Sequence, residues 1–309
     1  MNLTDFNYPI PKDLIAQYPL KKRDSCRLLV VERKSGKIYH DKFCRLLNYL
    51  PPPGLLVLND SQVIPARLLG KREKTGGRVE VFLLERLKKK NTFQALINPL
   101  GKLKIDERIV FNGNKTSCRL IDAKSRIVRF NDDILKRLDR IGHIPLPPYI
   151  KRPAIMKVGK PDLALDRKYY QTVYARNKGS VASPTAGLHF TKGILSKVRN
   201  TGIKIAPLTL HVNYSTFKPV KENEITRHQM YSEDYAVPAK TIQAIKDARK
   251  SGAKIIAVGT TSCRALETMA QSPDLESSVK GIKGMTDIFL YPGYQFKLTD
   301  YLLTNFHFP

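Results

Sequence analysis

Twice in its second half the chain passes through the same signals in the same order: a helical apolar period, a glycine, a buried apolar run and a polar loop. Ile194, Leu195 and Val198 recur at helical spacing, Gly202 stops that helix, and Ile203–Leu210 follows as a strand. Ile242, Ile245 and Ala248 repeat the pattern, with Gly252 as the stop and Lys254–Val258 as the strand. Strands that are apolar without alternation are covered on both faces, as in a parallel sheet flanked by helices. The two units share architecture and no residue-level repeat. They therefore predict an α/β fold whose ligands bind outside the carboxyl ends of the strands. The loops at those ends are His211-Val212-Asn213-Tyr214-Ser215-Thr216 and Gly259-Thr260-Thr261-Ser262, the second of which opens a helix carrying Arg264 and Glu267.

The first half is organised differently. Tyr8–Leu20 reads as an extended arm with one helical turn, and Leu28–Val31 as a buried strand. Phe43, Leu46, Leu47 and Leu50 recur at helical spacing until Pro51–Pro53 stops them. A second buried strand, Leu55–Leu58, ends on Asn59-Asp60. From Val63 to Phe130 no helical period is sustained; short strand patterns such as Val79, Val81 and Leu83 are separated by Gly76-Gly77, Gly101 and Asn112-Gly113-Asn114. Because α/β patterning lies on both sides of this all-β stretch, an insertion is more economical than two consecutive domains. The expected division is an α/β domain over residues 1–60 and 141–309 and a small all-β domain over 61–140. Asp132–Leu138 is a short helix, His143–Tyr149 a proline-rich connector, and Lys151–Asp162 a basic mobile loop, with regular structure returning at Tyr169.

Charge narrows the partner. The 309 residues include 54 Lys and Arg against 27 Asp and Glu, a formal charge of +27. That exceeds what solubility requires and points to a polyanion, although a lysine-rich genome would raise the same count. Cys26, Cys44, Cys118 and Cys263 are scattered with no Cys-x-x-Cys pair, which argues against a zinc site or a disulfide framework and for a reducing compartment. No run approaches the ~20 apolar residues of a membrane span. A soluble, cytoplasmic protein with no membrane partner is expected.

The densest chemistry lies in Gly179–Phe190, where Ser183, Thr185 and His189 stand among small residues and Pro184 and Gly187 set the chain's direction. An N-capped loop with a packed histidine would carry the same residues. Gly259-Thr260-Thr261-Ser262 places hydroxyls and backbone amides at a helix N-terminus, suited either to a carboxylate or phosphate or to simple capping. A Gly-x-Gly-x-x-Gly turn and a Walker-type phosphate loop are both lacking. His40 and His228 read as surface or packing residues.

Assembled, these motifs resemble the S-adenosylmethionine:tRNA ribosyltransferase-isomerase family of queuosine biosynthesis over essentially the whole chain. The resemblance is carried by Ala16-Gln17-Tyr18-Pro19 with Lys22-Arg23-Asp24, Leu58-Asn59-Asp60 with Val63-Ile64-Pro65-Ala66-Arg67, Gly77-Arg78-Val79-Glu80 and Ile144–Arg152. Tyr170–Ala175, Gly179–Phe190, Gly259–Arg264 with Glu267, Thr286–Tyr294 and Thr304-Asn305-Phe306-His307 extend it. It implies a larger α/β domain with an inserted small β-barrel. It also implies transfer and isomerisation of the ribosyl moiety of S-adenosylmethionine onto 7-aminomethyl-7-deazaguanine at the tRNA wobble position, with release of adenine and methionine.

Such a reaction asks for a base beside the sulfonium, an acid for adenine and exclusion of water, without metal or any cofactor beyond S-adenosylmethionine. His189, His211, Asp287 and His307 are the candidate catalytic groups. Thr185, Gly187, Thr260, Thr261, Ser262, Arg264 and Tyr291 are the candidates for holding S-adenosylmethionine. Asn59, Asp60, Arg67, Arg152 and Asn305 are those for the tRNA substrate. The chain departs from the family pattern at Asn213-Tyr214-Ser215, where Gly-x-Gly is usual and serves either to reach a positive φ or to admit a ligand against the backbone, at Gln62 for arginine and at Tyr231 for histidine. Family members also continue beyond the position of Pro309, so open apolar surface is expected near Tyr301–Phe306. These departures leave a second reading, a decayed relative that binds tRNA without catalysis. A monomer is expected in either case.

Overall fold

The computed structural model describes residues 1–309 other than 112, 114, 151–159, 215–219, 221, 274, 276–277 and 308–309. Strands β1 (Arg27–Val31) and β2 (Ile38–Lys42) form an antiparallel hairpin, followed by a 3-10 helix over Phe43–Tyr49. Leu28–Val31 is thus a strand, but only Leu28 within it is buried, because β1 pairs with β2 alone and has no helix over its second face. β3 (Gly54–Asn59) is buried at all six positions, and β4 (Ser61–Val63) follows it directly.

The chain then builds a closed barrel from β5 (Arg67–Arg72), β6 (Arg78–Arg86), β7 (Thr92–Asn98), β8 (Arg108–Phe111), β9 (Thr116–Asp122) and β10 (Ile127–Phe130). The order is β5-β6-β7-β10-β9-β8, and β8 pairs back onto β5 through Lys71 with Val110 and Arg72 with Ile109. Closure removes the exposed edges that an open sheet of short strands would carry. Leu68, Val81, Ala95, Ile109, Leu120 and Val128 fill the barrel. A short helix α1 (Leu138–Ile141) and β11 (Gly142–His143) bring the chain back, β11 pairing with Arg67 and Leu68. A Cβ on Gly142 would lie 2.0 Å from the Pro65 carbonyl oxygen, so only glycine lets the two backbones pass at this crossing.

Helix α2 spans Lys160–Tyr169, so regular structure returns before Tyr169; the rest of the expected loop, 151–159, lies outside the described residues. Pro161 falls in the first turn of α2, where its missing N–H costs nothing. β12 (Asn177–Ser180) pairs in parallel with β4. The remaining elements are α3 (Lys192–Asn200), β13 (Lys204–Leu210), β14 (Glu233–Val237), α4 (Ala239–Ser251), β15 (Lys254–Val258), α5 (Thr260–Met269), β16 (Ile282–Thr286) and β17 (Tyr301–Leu303). They assemble with β3 into one six-stranded sheet in the order β16-β14-β13-β3-β15-β17. β13, β3, β15 and β17 are parallel neighbours, while β14 runs antiparallel between β13 and β16.

Alternate residues of each central strand serve opposite faces. Leu55, Val57, Ala206, Leu208, Ile255 and Ala257 pack with Ile242, Ile245, Ala265 and Leu266 of α4 and α5. Leu56, Leu58, Ile256 and Val258 pack with Ile194, Leu195 and Val198 of α3 and with Phe43 and Leu46. The helix stops fall at the expected glycines, with Gly252 left-handed at φ 72° and Gly202 at φ 82°. The fold is thus a larger α/β part carrying an inserted β-barrel. At the edge of the sheet Tyr301 and Leu302 of β17, and Phe306 beyond it, are exposed. Among the described residues no helix is long and apolar enough to cross a membrane.

Candidate active site

Outside the carboxyl ends of β13, β15 and β17 opens a cleft of about 820 Å³. Ala182–Ala186 and Gly259–Thr261 line it, together with Val212 just past β13 and Thr304 just past β17. Pro147, Pro148, Tyr149 and Tyr170 form a flat apolar side, and Leu3, Thr4 and Asn7 reach it from the N-terminal arm. The arm is tied down by Leu3 N–H donating to the Asn223 carbonyl at 2.7 Å and Ile225 N–H to the Met1 carbonyl at 3.2 Å. The Tyr8 hydroxyl donates to the backbone carbonyl of His307, another lining residue. On a chain of net charge +27, no carboxylate, lysine or arginine is among the described residues that line the cleft.

The geometry of the strand ends explains how Thr260 and Thr261 reach the cleft. Gly259 turns the chain from β15 into α5 at φ 85°, and its N–H donates to the Leu303 carbonyl at 2.8 Å. α5 starts without a side-chain cap, whereas α3 is capped by Thr191, which accepts from Ile194 N–H at 3.2 Å. The first amides of α5 are therefore available to an anion, with the helix dipole behind them. Asn59, fully buried at the end of β3, donates to the Leu210 carbonyl at 3.0 Å and to Thr261 Oγ1 at 3.1 Å, and its Oδ1 accepts from the Ser61 and Leu210 amides. One asparagine thus fixes three strand ends and orients Thr261.

Of the candidate residues, Thr185, Thr260, Thr261 and His307 come together in the cleft. His307 is exposed as a whole residue, and partial desolvation of its imidazole lowers its pKa from the ordinary value, which favours the neutral, proton-accepting form at neutral pH. His189 is held elsewhere, its Nδ1 3.1 Å from Cys26 Sγ and its Nε2 3.1 Å from Asn305 Nδ2, against the Phe43 ring. The Asn305 amide thereby serves His189. Burial pushes the Cys26 thiol up to about 11, which leaves it protonated and unreactive at neutral pH. His211 packs its ring against Gly179, where a Cβ would come within 2.7 Å. Burial lowers its pKa, and the nearby carboxylates of Asp234 and Asp60 oppose that shift.

The other candidates are engaged in the framework. Asp60 accepts from Thr209 Oγ1 at 2.7 Å and Asn177 Nδ2 at 3.0 Å. Gly187 admits the Tyr174 hydroxyl, which would lie 2.0 Å from a Cβ there. Ser262 is buried with no partner for its hydroxyl. Arg264 pairs with Glu233 and donates to the carbonyls of Ile288 at 3.1 Å and Thr286 at 3.2 Å. Asp287 and Tyr291 sit on the exposed loop that Arg264 holds, Tyr291 tilted 5.8 Å from Phe289. Arg67 pairs with Glu80 at 2.6 Å on the barrel. Arg152 lies outside the described residues, as do Ser215 and Thr216. Asn213 has no positive φ, which removes one of the two reasons for glycine there; its amide N–H donates to Glu233 Oε1 at 3.0 Å, and Tyr214 packs edge-on against Phe82 of the barrel at 5.2 Å.

Ser183 is singled out by the sequence in the Gly179–Phe190 stretch, whereas two further contributors, Tyr170 and Arg23, are not singled out as site residues. Tyr170 and Ser183 line the cleft, and Arg23 fixes the backbone around Tyr170 by donating to the carbonyls of Tyr169 at 3.3 Å, Gln171 at 2.9 Å and Leu188 at 3.1 Å. Gln171 adds a strand-like pair of bonds to Val63, accepting at 3.0 Å and donating at 3.1 Å. The only sequence signal for Tyr170 and Arg23 is their place in the short motifs Tyr170–Ala175 and Lys22-Arg23-Asp24. Among the described residues no group of three His, Cys, Asp or Glu side chains is placed to hold a metal ion.

Comparison with known proteins places this geometry in context. Residues 3–309 match the family described as queuosine biosynthesis protein. The S-adenosylmethionine:tRNA ribosyltransferase-isomerase of Sulfurihydrogenibium sp. (strain YO3AOP1) is 46% identical over 311 residues, covering 100% of this chain and 88% of that protein. The enzyme of the same name from Caldanaerobacter subterraneus subsp. tengcongensis is 46% identical over 314 residues, with the same coverage. Among solved structures, the S-adenosylmethionine tRNA ribosyltransferase of Thermotoga maritima is 32% identical, with a TM-score of 0.49 over 99% of this chain and 85% of that one.

Proposed function

The chain belongs to the queuosine biosynthesis protein family, and from that premise we infer that it is an S-adenosylmethionine:tRNA ribosyltransferase-isomerase. The observation that carries the inference is kinship at 46% identity along the entire chain. The same kinship disfavours the alternative of a decayed, purely tRNA-binding relative. The substrates are S-adenosylmethionine and tRNA, and the tRNA carries 7-aminomethyl-7-deazaguanine at its wobble position. That base lies in an anticodon loop, unstacked and reachable without opening a duplex.

The chemistry fits a neutral cleft. The sulfonium activates the ribose, so the protein has to position S-adenosylmethionine, accept a proton from the carbon beside sulfur and keep water away. The uncapped N-terminus of α5, with Thr260 and Thr261, suits the methionine carboxylate. His307 is the base we assign, being neutral and in the cleft wall, and Thr185 a contact to the nucleoside. Asn59, Asp60, Gly187, Arg264, His189 and Asn305 act through the framework that holds these groups. No metal and no cofactor beyond S-adenosylmethionine enters this reading. The +27 surface draws in the tRNA phosphates, and the working form is a monomer in the cytoplasm.

Incubation with S-adenosylmethionine and tRNA bearing the aminomethyl-deazaguanine should release free adenine, and His307→Ala should abolish release while both substrates still bind. Absence of adenine release from wild-type protein that binds both substrates would favour the non-catalytic alternative.

A further inference from the structure

Two hydroxyls in the cleft wall lack any hydrogen-bond partner in the protein although they are among its better buried polar groups. Tyr170 is 9% exposed and Ser183 5%, and neither Tyr170 OH nor Ser183 Oγ is bonded. Buried hydroxyls are ordinarily paired, and an orphan costs the fold its desolvation. Here the cost is built in, because the backbone holding both groups is fixed. Arg23 and Gln171 pin the residues on either side of Tyr170, and Asp166 accepts from the Tyr170 amide at 2.9 Å. Ser183 sits between Ala182, part of the core packed on α4 and α5, and Pro184.

The two groups are not equivalent. The Ser183 backbone amide lies toward the Tyr170 phenolic oxygen without closing a hydrogen bond to it, while burial pushes the phenol well above its ordinary value and keeps its proton on. Tyr170 is therefore a hydrogen-bond donor in the cleft wall. Ser183 Oγ is free to accept. A donor beside an acceptor, on a flat side made by Pro147, Pro148 and Tyr149, matches the edge of an adenine, where a ring nitrogen accepts and the 6-amino group donates. Among the described residues nothing charged lines the cleft, so the methionine carboxylate belongs at the uncapped N-terminus of α5 and the uncharged base belongs here. Ala186 bridges the two ends, its Cβ lying 3.8 Å from where one on Gly259 would be.

We propose that Tyr170 and Ser183 are the specificity pair that reads the adenine of S-adenosylmethionine, Tyr170 donating to a ring nitrogen and Ser183 accepting from the 6-amino group. The proposal rests on the function inferred above. As a donor to the ring, Tyr170 also steadies the charge that gathers on adenine as it departs.

Calorimetric titration tests it with wild-type protein, Tyr170→Phe and Ser183→Ala against S-adenosylmethionine, its analogue lacking the 6-amino group, and substrate tRNA. Each variant should bind S-adenosylmethionine about tenfold more weakly and tRNA as wild type does, one neutral hydrogen bond being the loss. Ser183→Ala should lose nothing further with the analogue, whereas Tyr170→Phe should lose its full factor. The ligand-free Tyr170→Phe protein should melt no lower than wild type, since an orphan hydroxyl has been removed. Variants that bind S-adenosylmethionine as wild type does, or that lose tRNA affinity instead, would overturn the assignment. Wild-type protein that binds no S-adenosylmethionine would overturn the inferred function as well.

Discussion

The barrel and the α/β sheet bury their strands by different routes. In the barrel β5 bonds β6, β6 bonds β7, β8 bonds β9 and β9 bonds β10, so most of the ladder joins sequence neighbours and two further pairings close the ring. In the α/β sheet β3 lies between β13 and β15, and Asn59 reaches across 151 residues to Leu210 and 202 to Thr261. The barrel interior is apolar, and its charged groups pair near the surface, as Arg72 does with Glu107 at 2.6 Å. The α/β sheet buries polar side chains instead: Asn59, Asp60 and Glu233 at its carboxyl end, and Glu267 against the segment that leads into β17. A closed ring needs only packing to hold its shape, whereas a cleft where loops converge needs directional bonds to fix each loop.

The sharpest test of that contrast is Glu267. Fully buried on α5, it accepts from the Lys297, Leu298 and Thr299 amides at 2.8, 3.1 and 2.9 Å and from the Tyr294 hydroxyl at 3.1 Å. Glu267→Ala strands those donors and should cost ~3–5 kcal/mol, the range found when one partner of a buried polar network is removed. Denaturant unfolding gives the cost, and hydrogen exchange should place the loosening along 286–303 while β5–β10 stays protected. Equal loosening in the barrel would break the comparison.

In the other direction, Leu120→Ala opens a cavity in the barrel core, where Leu120 is fully buried. The expected loss is about 3 kcal/mol, with S-adenosylmethionine affinity unchanged. A large fall in that affinity would show that the cleft depends on barrel packing.

Acid should separate the two regions more gently. His189 and His211 are held by burial below their ordinary value of 6.5, and β5–β10 contain no histidine. Below 6.5 the unfolded chain takes up protons that the folded imidazoles refuse, so the stability these groups contribute is lost as the pH falls from there toward their lowered folded values. In the barrel, bonding to Arg72 lowers the Glu107 carboxyl from 4.5, so its contribution is full above 4.5 and is lost only as the pH falls from there through the lowered folded value. Hydrogen exchange near pH 5.5 should speed first in the α/β part. Simultaneous acceleration in both parts would argue against this assignment.

The smallest effect is expected where the two parts meet at the surface. Lys178 pairs with Asp139 at 3.1 Å, with side chains 60% and 67% exposed. Lys178→Ala should change stability by no more than ~0.5 kcal/mol, and less in high salt. A larger loss by thermal melting would mean that this contact couples the barrel to the sheet.

What the sequence determined by itself was everything written in short-range periodicity and composition. Ile242, Ile245 and Ala248 with Gly252 made α4 and its stop legible, because a helical stripe and a left-handed cap need only neighbouring residues. Unbroken apolar runs announced β3 and β15, glycine-punctuated short runs announced an all-β insertion, and a full set of short motifs announced the family. The same local signal overstated the burial of Leu28–Val31, since covering the second face takes an element from elsewhere in the chain.

Only the tertiary structure decided which polar groups meet. Thr185, Thr260 and His307 converge in the cleft from three separate strand ends. His189, in the same short motif as Thr185, is turned to Cys26 and Asn305, and the guanidinium of Arg264 goes to Glu233 and two carbonyls. Whether a hydroxyl such as Tyr170 OH is satisfied or left unpaired in a cleft wall depends on the packing of Val63, Ile144, Leu146 and Leu188 around that ring. That is a property of distances between residues far apart in the chain, which residue order alone does not carry.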